Sequence, residues 1–224
     1  FRSYKHIKIS HIRELLKGKK SEVLLWLPTQ FMYRFESNGT PTALKDFIEE
    51  IVPFKDWNSS DSVWKFVGQL KEGFQKGVGL DYYVDNFTIE KDKNTVFCLF
   101  FFTPHIKGFE KMLEAKWEID SEYGKGWTYT DNTPSLFYEQ KTNPLEEKIK
   151  FYLKDNCPSN SELYEFTLRQ GFLPKHTNEV LFNWQENGKV EVQLEDGSLA
   201  RKKSFYLNYE NYKKAPNRVT FKIK

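Results

Sequence analysis

The chain has 224 residues, of which 39% are hydrophobic and 17% aromatic, so it has ample material for a buried core and is not a disordered protein. Its formal net charge is +3, and no stretch approaches the ~20 apolar residues that a membrane span needs. The two cysteines lie in unlike contexts without metal-ligand spacing, and the first residues lack the pattern of a signal peptide. We therefore expect a cytoplasmic protein with neither a disulfide framework nor a membrane partner.

Positive charge is concentrated near the C-terminus. Residues 144–224 carry 14 Lys and Arg against 11 Asp and Glu, whereas residues 1–143 are balanced. From Arg201 onward there are eight basic residues and one acid, Glu210. A basic end of this kind can bind nucleic acid, although solvated lysines are the commoner explanation of such runs.

The first predicted elements have the rhythm of an α/β fold. Ser10 is a candidate N-cap for a helix over 11–17, and Glu22–Leu27 is a near-continuous apolar run that ends at Pro28. A helix followed after a short loop by an apolar strand predicts a parallel sheet that is covered on both faces.

Two amphipathic helices are predicted next, over Thr42–Val52 and Asp61–Lys76. Helical spacing places one set of apolar residues on one side of each helix. The sets are Leu44, Phe47, Ile48 and Ile51 in the first helix, and Val63, Trp64, Val67, Leu70 and Phe74 in the second.

The pattern of apolar residues then changes from helical to strand-like. Leu80–Ile89 and Thr95–Thr103 are rich in β-branched and aromatic residues, and the polar residues Glu90–Asn94 join them. A join of five residues is too short for a parallel crossover. We therefore predict an antiparallel hairpin at one edge of a sheet, with the 22–27 strand as its neighbour. An amphipathic helix over Lys107–Ile119 follows the hairpin.

The C-terminal residues predict three helices and a two-stranded wing, which is the plan of a winged helix. The helices span Leu145–Asp155, about 161–170 with Ser159 or Asn160 as cap, and Pro174 to Asn187-Gly188; the wing strands are Val190–Leu194 and Leu199–Leu207, joined by the turn Asp196-Gly197. In the third helix, Trp184 is expected to pack inward against Leu163, Phe166 and the first helix. The predicted domains are thus an α/β domain over 1–120, a linker over 121–143 and a winged helix over 144–224.

No complete catalytic site is visible in the sequence. His6 and His11 are five residues apart, a poor spacing for two metal ligands, and neither a Gly-rich phosphate loop nor a nucleophile elbow occurs. His105 follows the second hairpin strand, where it either borders a binding crevice or, more simply, starts the next helix. We therefore predict no metal site and no cofactor in this chain, and the catalytic residues stay unassigned.

The third helix of the winged module and the wing form the candidate interface with nucleic acid. The first residues of this helix are polar, in the position where a recognition helix faces the major groove, and wing cations commonly contact phosphate. The predicted contacts are Lys175, His176, Asn178, Arg201, Lys202 and Lys203. Acids close by, such as Glu179 and Glu191, would repel phosphate, so docking of a protein partner is an alternative.

A longer pattern spans the strand, turn and helix of Phe97–Trp117. It resembles the three-Cys-motif partner proteins, in which an apolar strand, a short turn with His and a helix ending in Ala-x-Trp occur in this order. Gln30–Phe35 and Gly188–Val192 are similar to segments of the same family, so the likeness covers nearly the whole chain.

The resemblance implies the second half of a class I methyltransferase-like, Rossmann-like α/β sheet that ends in an antiparallel hairpin and is followed by a winged helix. This chain would then be the C-terminal portion of such a protein, with Phe1 just after the fourth strand. The Gly-rich cofactor loop and the acidic ribose-binding residue are absent from it, so S-adenosylmethionine is expected only in a longer product. Whether such a product methylates a substrate is a question that the resemblance leaves open.

The leading hypothesis is a methyltransferase-like partner protein whose winged helix docks nucleic acid or a protein in a bacterial defence or modification system. One alternative is a non-catalytic adaptor with a degenerate α/β scaffold and a protein-binding winged helix. Another is a DNA-binding transcription regulator. An intact Gly-rich loop after a first strand would favour the enzyme over the adaptor.

Overall fold

The computed structural model describes residues 6–35, 41–92, 95–120 and 144–224, together with the backbone of 126–128. Most of the predicted linker over 121–143 therefore lies outside the described residues. The chain divides into two compact units, Phe1–Thr133 and Pro134–Lys224. The described elements of the first unit are α1 (Ile9–Lys17), β1 (Val23–Leu27), α2 (Thr29–Arg34), α3 (Thr42–Ile51), a 3-10 turn (Phe54–Asp56), α4 (Val63–Val78), β2 (Tyr83–Asp92), β3 (Thr95–Thr103), α5 (Ile106–Ile119) and β4 (Gly126–Thr128).

The described strands of the first unit form one mixed sheet in the order β1-β3-β2-β4. β2 and β3 pair antiparallel from Tyr83↔Thr103 to Asp92↔Thr95, with an irregularity between Glu90 and Asp92. The predicted hairpin is therefore confirmed. Its first strand begins and ends three residues later than expected. Residues 93–94 of the join lie outside the described part of the chain.

β1 is the neighbour of this hairpin, as predicted, but it runs antiparallel to β3, so the expected parallel pairing is wrong. Its burial alternates, since Leu24 is 61% exposed and Trp26 is 43% exposed. The hairpin does not lie at an edge either, because β1 flanks it on one side and β4 pairs parallel with β2 on the other. The apolar composition of β1 predicted burial on both faces of the strand, whereas Leu24 and Trp26 lie on a face that is open to solvent.

The core of the first unit packs α1, α3 and α4 against one face of the sheet. Phe74 of α4 contacts Phe100 and Phe102 of β3, with ring centroids 5.0 and 5.2 Å apart. The predicted inward faces of α3 and α4 are confirmed except for Trp64, which is 49% exposed. Phe66 is fully buried instead, because it follows Val63 by three residues and precedes Leu70 by four, which places it on the inward side of α4.

The start of α1 also differs from the prediction. The helix begins at Ile9 with Lys8 as its N-cap, so Ser10 lies within the first turn and caps nothing. Ile9 is partly buried against the same core that contains Ile12 and Leu16. The apolar spacing of these three residues therefore extends the helix by one residue beyond the polar N-cap candidate.

A charged cluster is buried where α4 and α5 meet β2. Asp85 of β2 is 2% exposed and is bound by Lys71 of α4 at 2.5 Å and by Lys116 of α5. Burial alone would raise the pKa of Asp85, but the two lysines outweigh it and hold this pKa at about 2. Burial lowers the pKa of Lys116, and Lys71 adds to the effect. The cluster therefore ties two helices to the sheet through a buried carboxylate, a buried ammonium and the partly exposed Lys71.

The second unit carries the predicted three helices within one or two residues of their expected bounds. Ser159 caps the second of them: its Oγ accepts from the Glu162 N–H at 3.3 Å, and the Glu162 carboxylate accepts from the Ser159 N–H at 2.8 Å. Pro174 occupies the first turn of the third helix, as predicted. The described elements are α6 (Pro144–Asp155), α7 (Asn160–Arg169), α8 (Pro174–Glu186), β5 (Val190–Leu194), α9 (Tyr209–Lys214) and β6 (Val219–Ile223).

Trp184 links α8 to α6. It is 5% exposed, and its indole N–H donates to the Glu146 carboxylate at 2.7 Å. The prediction that Trp184 is buried and reaches the first helix of the module is confirmed. Because the indole both fills the core and bonds a side chain of α6, it fixes the position of the third helix.

The wing differs most from the sequence expectation. β5 pairs antiparallel with β6, whereas the predicted partner strand Leu199–Leu207 does not form. Leu199 forms a bridge with Gln193 after the predicted turn, in which Gly197 has φ 81°. Phe205 and Leu207 then turn into the core, at 3% and 4% exposure, so the chain leaves β5. We call the connection between β5 and β6, residues 195–218, the wing segment.

Candidate nucleic-acid interface

The solvent-facing side of α8 has a mixed charge. Lys175, Glu179, Asn183 and Glu186 are exposed and follow one another at intervals of four, four and three residues, so they lie along one side of the helix. This face therefore presents one cation and two acids to a partner.

His176 faces its own helix instead of a ligand. Its Nδ1 accepts from the Leu173 N–H at 3.1 Å, which satisfies a backbone donor at the start of α8. The ring is half-buried and meets Phe172 edge-on. Burial, and to a smaller extent Lys175, lowers the pKa of His176. The imidazole is therefore neutral at neutral pH and is engaged as a structural acceptor.

Asn178 is only partly accessible as well. Its Oδ1 is shielded from solvent, and the neighbouring Thr177 is fully buried and bonds Thr167 of α7 at 2.8 Å. Of the three contacts predicted on α8, Lys175 is the one that the structure leaves exposed.

The three basic wing residues are exposed, and two of them are held against the second half of α8. We call Arg201–Lys203 the basic segment. The Lys202 ammonium donates to Glu186 at 2.8 Å, and the Lys203 backbone N–H donates to the Gln185 side chain at 3.0 Å. The Lys203 ammonium also lies 4.0 Å from the centroid of the Phe182 ring. The wing thus folds back onto the predicted recognition helix.

The structure does not bring Lys175 into contact with the basic segment. The α8 residues that hold the segment follow Lys175 by seven to eleven positions, which corresponds to roughly 10–16 Å along a helix. Phe182 and Glu186 nevertheless share one side of α8 with Lys175, since seven and eleven residues are close to whole numbers of turns, whereas Gln185 lies about 80° away around the helix. Lys202 and Lys203, which contact Glu186 and Phe182, therefore lie on the same side of the helix as Lys175.

Sequence reasoning missed the α8 residues that hold the basic segment. Glu186 precedes Lys202 by 16 residues, and no local spacing rule links positions so far apart. The signal in the sequence was the pair Gln185-Glu186 at the end of a predicted helix that faces a basic wing. That signal becomes specific only when the path of the wing is known.

Acids near the interface are largely engaged by other groups. Lys202 lowers the pKa of Glu186 through a hydrogen bond and its charge, and Ser198 lowers the pKa of Asp196. Glu191 binds Lys224 at 3.0 Å. Glu186 and Glu191 are thus each paired with a lysine, whereas Asp196 keeps its full negative charge, because Ser198 is neutral.

Other candidate sites have structural roles. Within the ranges that the structure describes, no three His, Cys, Asp or Glu side chains gather where they could hold a metal ion. His105 stands at the boundary of α5 with its Nε2 2.7 Å from the Lys19 carbonyl, which favours the helix-start interpretation. Burial raises the pKa of the Cys98 thiol to about 12, so this thiol is unreactive. None of the described helices is long and apolar enough to cross a membrane.

Residues 126–197 match the family model of the GMT-like wHTH domain. This range contains α6, α7, α8 and β5, and the second unit is accordingly a winged-helix domain. The match ends at Gly197, so the basic segment follows it. No curated protein and no solved structure matches the chain.

Proposed function

We propose that the winged-helix unit docks nucleic acid through Lys175 and the basic segment. The observation that carries this proposal is the exposed basic segment, which lies against α8. This helix is the one that winged-helix domains commonly place in a major groove. Lys and Arg on a wing usually contact phosphate oxygens, which fix the position of the protein without reading sequence. The contact with bases would be small, because the Leu173 N–H occupies Nδ1 of His176 and Oδ1 of Asn178 is shielded from solvent.

A binding assay on the full 224-residue chain tests this proposal. Fluorescence anisotropy with a short labelled duplex, and with a single strand of the same sequence, should show binding at low salt. The triple substitution Arg201→Ala, Lys202→Ala, Lys203→Ala should weaken it by a factor of ten or more, since phosphate contacts supply most of such affinity.

A matched control separates the interface from net charge. Lys148, Lys150 and Lys154 on α6 are exposed, and their joint replacement by Ala removes the same charge outside the wing segment. The control should bind almost as tightly as the original chain. Equal weakening by both triple variants would move the interface off the wing, and no binding at low salt would contradict the nucleic-acid proposal.

Docking of a protein partner is the second candidate, and the acids on α8 favour it. Glu179 and Glu186 stand on the same exposed side as Lys175, a mixed surface that suits a partner with both charges. This candidate gains support if the chain fails to bind either oligonucleotide. The unit would then serve as the docking module of an adaptor.

For the first unit we propose the later part of a methyltransferase-like domain, and for the whole a three-Cys-motif partner in a defence or modification system. The antiparallel hairpin beside β1 supports this proposal, because the resemblance implies a sheet that ends in such a hairpin. The antiparallel pairing of β1 with β3, in place of a parallel neighbour, does not distinguish it from a non-catalytic scaffold.

The described residues do not fit S-adenosylmethionine. Gly73 and Gly77 lie inside α4 and not in a turn after a strand, and they serve packing: a Cβ on Gly73 would be 2.5 Å from Cγ2 of Val52. No described strand is followed by a glycine-rich turn. We therefore derive no methyl-transfer step, and we expect calorimetry of this chain with S-adenosylmethionine to show no heat of binding. Measurable binding would contradict this part of the account.

A further inference from the structure

The basic segment is held in place by two consecutive residues of α8. Gln185 accepts from the backbone N–H of Lys203, and Glu186 accepts from the side chain of Lys202. The first contact fixes the path of the main chain, and the second occupies one of the cations. These are different tasks, so the two residues have separable effects.

The backbone around the segment adopts conformations that side chains usually avoid. Lys203 has φ 66° and Tyr206 has φ 55°, both in the left-handed region that favours glycine. The surroundings maintain them: Phe205 and Leu207 are buried on either side of Tyr206, and the Arg218 guanidinium lies 4.0 Å from the Tyr206 ring centroid. The wing segment is therefore held down on the domain and does not project from it.

The carboxylate of Glu186 binds the Lys202 ammonium as a phosphate oxygen would. An ammonium offers its donors equally to a carboxylate or a phosphate, so the two anions compete for Lys202. The side chains of Lys202 and Glu186 are 69% and 46% exposed, so water can replace the contact at small cost. An exposed pair of this kind can be exchanged for a ligand.

We infer that Glu186 is an internal competitor of the nucleic-acid phosphate, and that its ion pair with Lys202 is a latch on this side chain which binding has to open. Gln185 is a positioning residue that keeps the main chain of Lys203 on α8 in both states. The inference rests on the proposed function for the identity of the ligand. The latch itself is a property of the chain alone, so the two can fail separately.

Limited proteolysis tests the latch without any ligand. The variant Glu186→Gln keeps the shape of the side chain and removes its charge, and Glu179→Gln removes the same charge from the same side of α8 at an exposed position. Trypsin recognises the lysine side chain, so cleavage after Lys202, relative to cleavage after Arg201, should become roughly two- to fivefold faster in Glu186→Gln and stay unchanged in Glu179→Gln. Equal cleavage rates in the two variants and the original chain would overturn the latch.

Anisotropy on the same three proteins tests the competition. Glu186→Gln should bind the labelled duplex roughly two- to fivefold more tightly, the range that loss of one exposed ion pair permits. Glu179→Gln should gain clearly less, because it relieves general repulsion alone. Equal gains in both variants would overturn the inference. Absence of binding by all three proteins would overturn the proposed function, while the cleavage rates would still decide the latch.

Discussion

This chain contains two sites where lysine pairs with a carboxylate, one in each unit, and the two sites differ strongly in burial. In the first unit, Asp85 is 2% exposed between Lys71 and Lys116. In the second, the Lys202 and Glu186 side chains are 69% and 46% exposed. Removing a charge from water is costly unless its partners stay in place, so the Asp85 cluster is a fixed part of the fold. The exposed pair carries no such cost and can exchange its partner for a ligand.

The largest loss in the free energy of unfolding is expected when a buried aromatic side chain is removed. Trp184→Ala removes a side chain that is 5% exposed and leaves Glu146 without its indole donor. The free energy of unfolding should fall by about 3–5 kcal/mol, as for other buried aromatics. Denaturant unfolding of the full chain measures this change. Trp64→Ala, at a site 49% exposed, is the control and should change much less; equal losses would contradict the burial assigned to Trp184.

The buried cluster should respond almost as strongly. Lys116→Met leaves the buried Asp85 with Lys71 alone, whose side chain is 28% exposed, so we expect a loss of roughly 3 kcal/mol in the free energy of unfolding. Lys111 on the same helix pairs with Glu114 at 2.6 Å, but both side chains are largely exposed. Lys111→Met should therefore leave the denaturation midpoint almost unchanged. A similar small effect of both substitutions would break the comparison.

His176 is half-buried, and we expect its protonation to have an intermediate effect on the stability of the chain. Burial lowers its pKa in the folded chain, so the unfolded chain takes up the proton first as the pH falls. Its stabilising contribution is complete above the unfolded pKa, about 6.5, and is lost as the pH falls below that value. The melting temperature should drop between pH 7.5 and pH 5 (on the order of a few degrees).

The variant His176→Gln isolates this contribution, because Gln keeps an acceptor for the Leu173 N–H and does not titrate. Its melting temperature should fall less over the same pH interval than that of the original chain. Parallel curves for the two proteins would show that folding does not lower the pKa of His176.

The smallest effect on stability is expected for the exposed pair of Lys202 and Glu186. Glu186→Gln should leave the melting temperature of the chain unchanged, because water replaces the lost contact with Lys202. A clear loss of stability would mean that the pair is a structural contact, as the Asp85 cluster is. The distinction between fixed and exchangeable charges would then be wrong.

Local rules in the sequence predicted most of the elements, and long-range pairing accounts for most of the errors. The five-residue join predicted the β2–β3 hairpin, and Ser159, one of the two N-cap candidates, marked the start of α7. The pairing of β5 with β6 crosses the whole wing segment, so neither propensity nor spacing could select it over Leu199–Leu207. The residue types of the candidate interface were visible in the sequence. The inward turn of His176 and the contact of Lys202 with Glu186 depend on three-dimensional packing, and no local rule gives them.

The most direct test of the account is the salt dependence of oligonucleotide binding. The affinity of the full chain for a short duplex should fall by about 0.9 log units per phosphate contact for each log unit of salt. Replacing Arg201, Lys202 and Lys203 together by Ala should flatten that slope by up to about three contacts' worth. The same slope in the triple variant and in the original chain would contradict the claim that the basic segment contacts the phosphates.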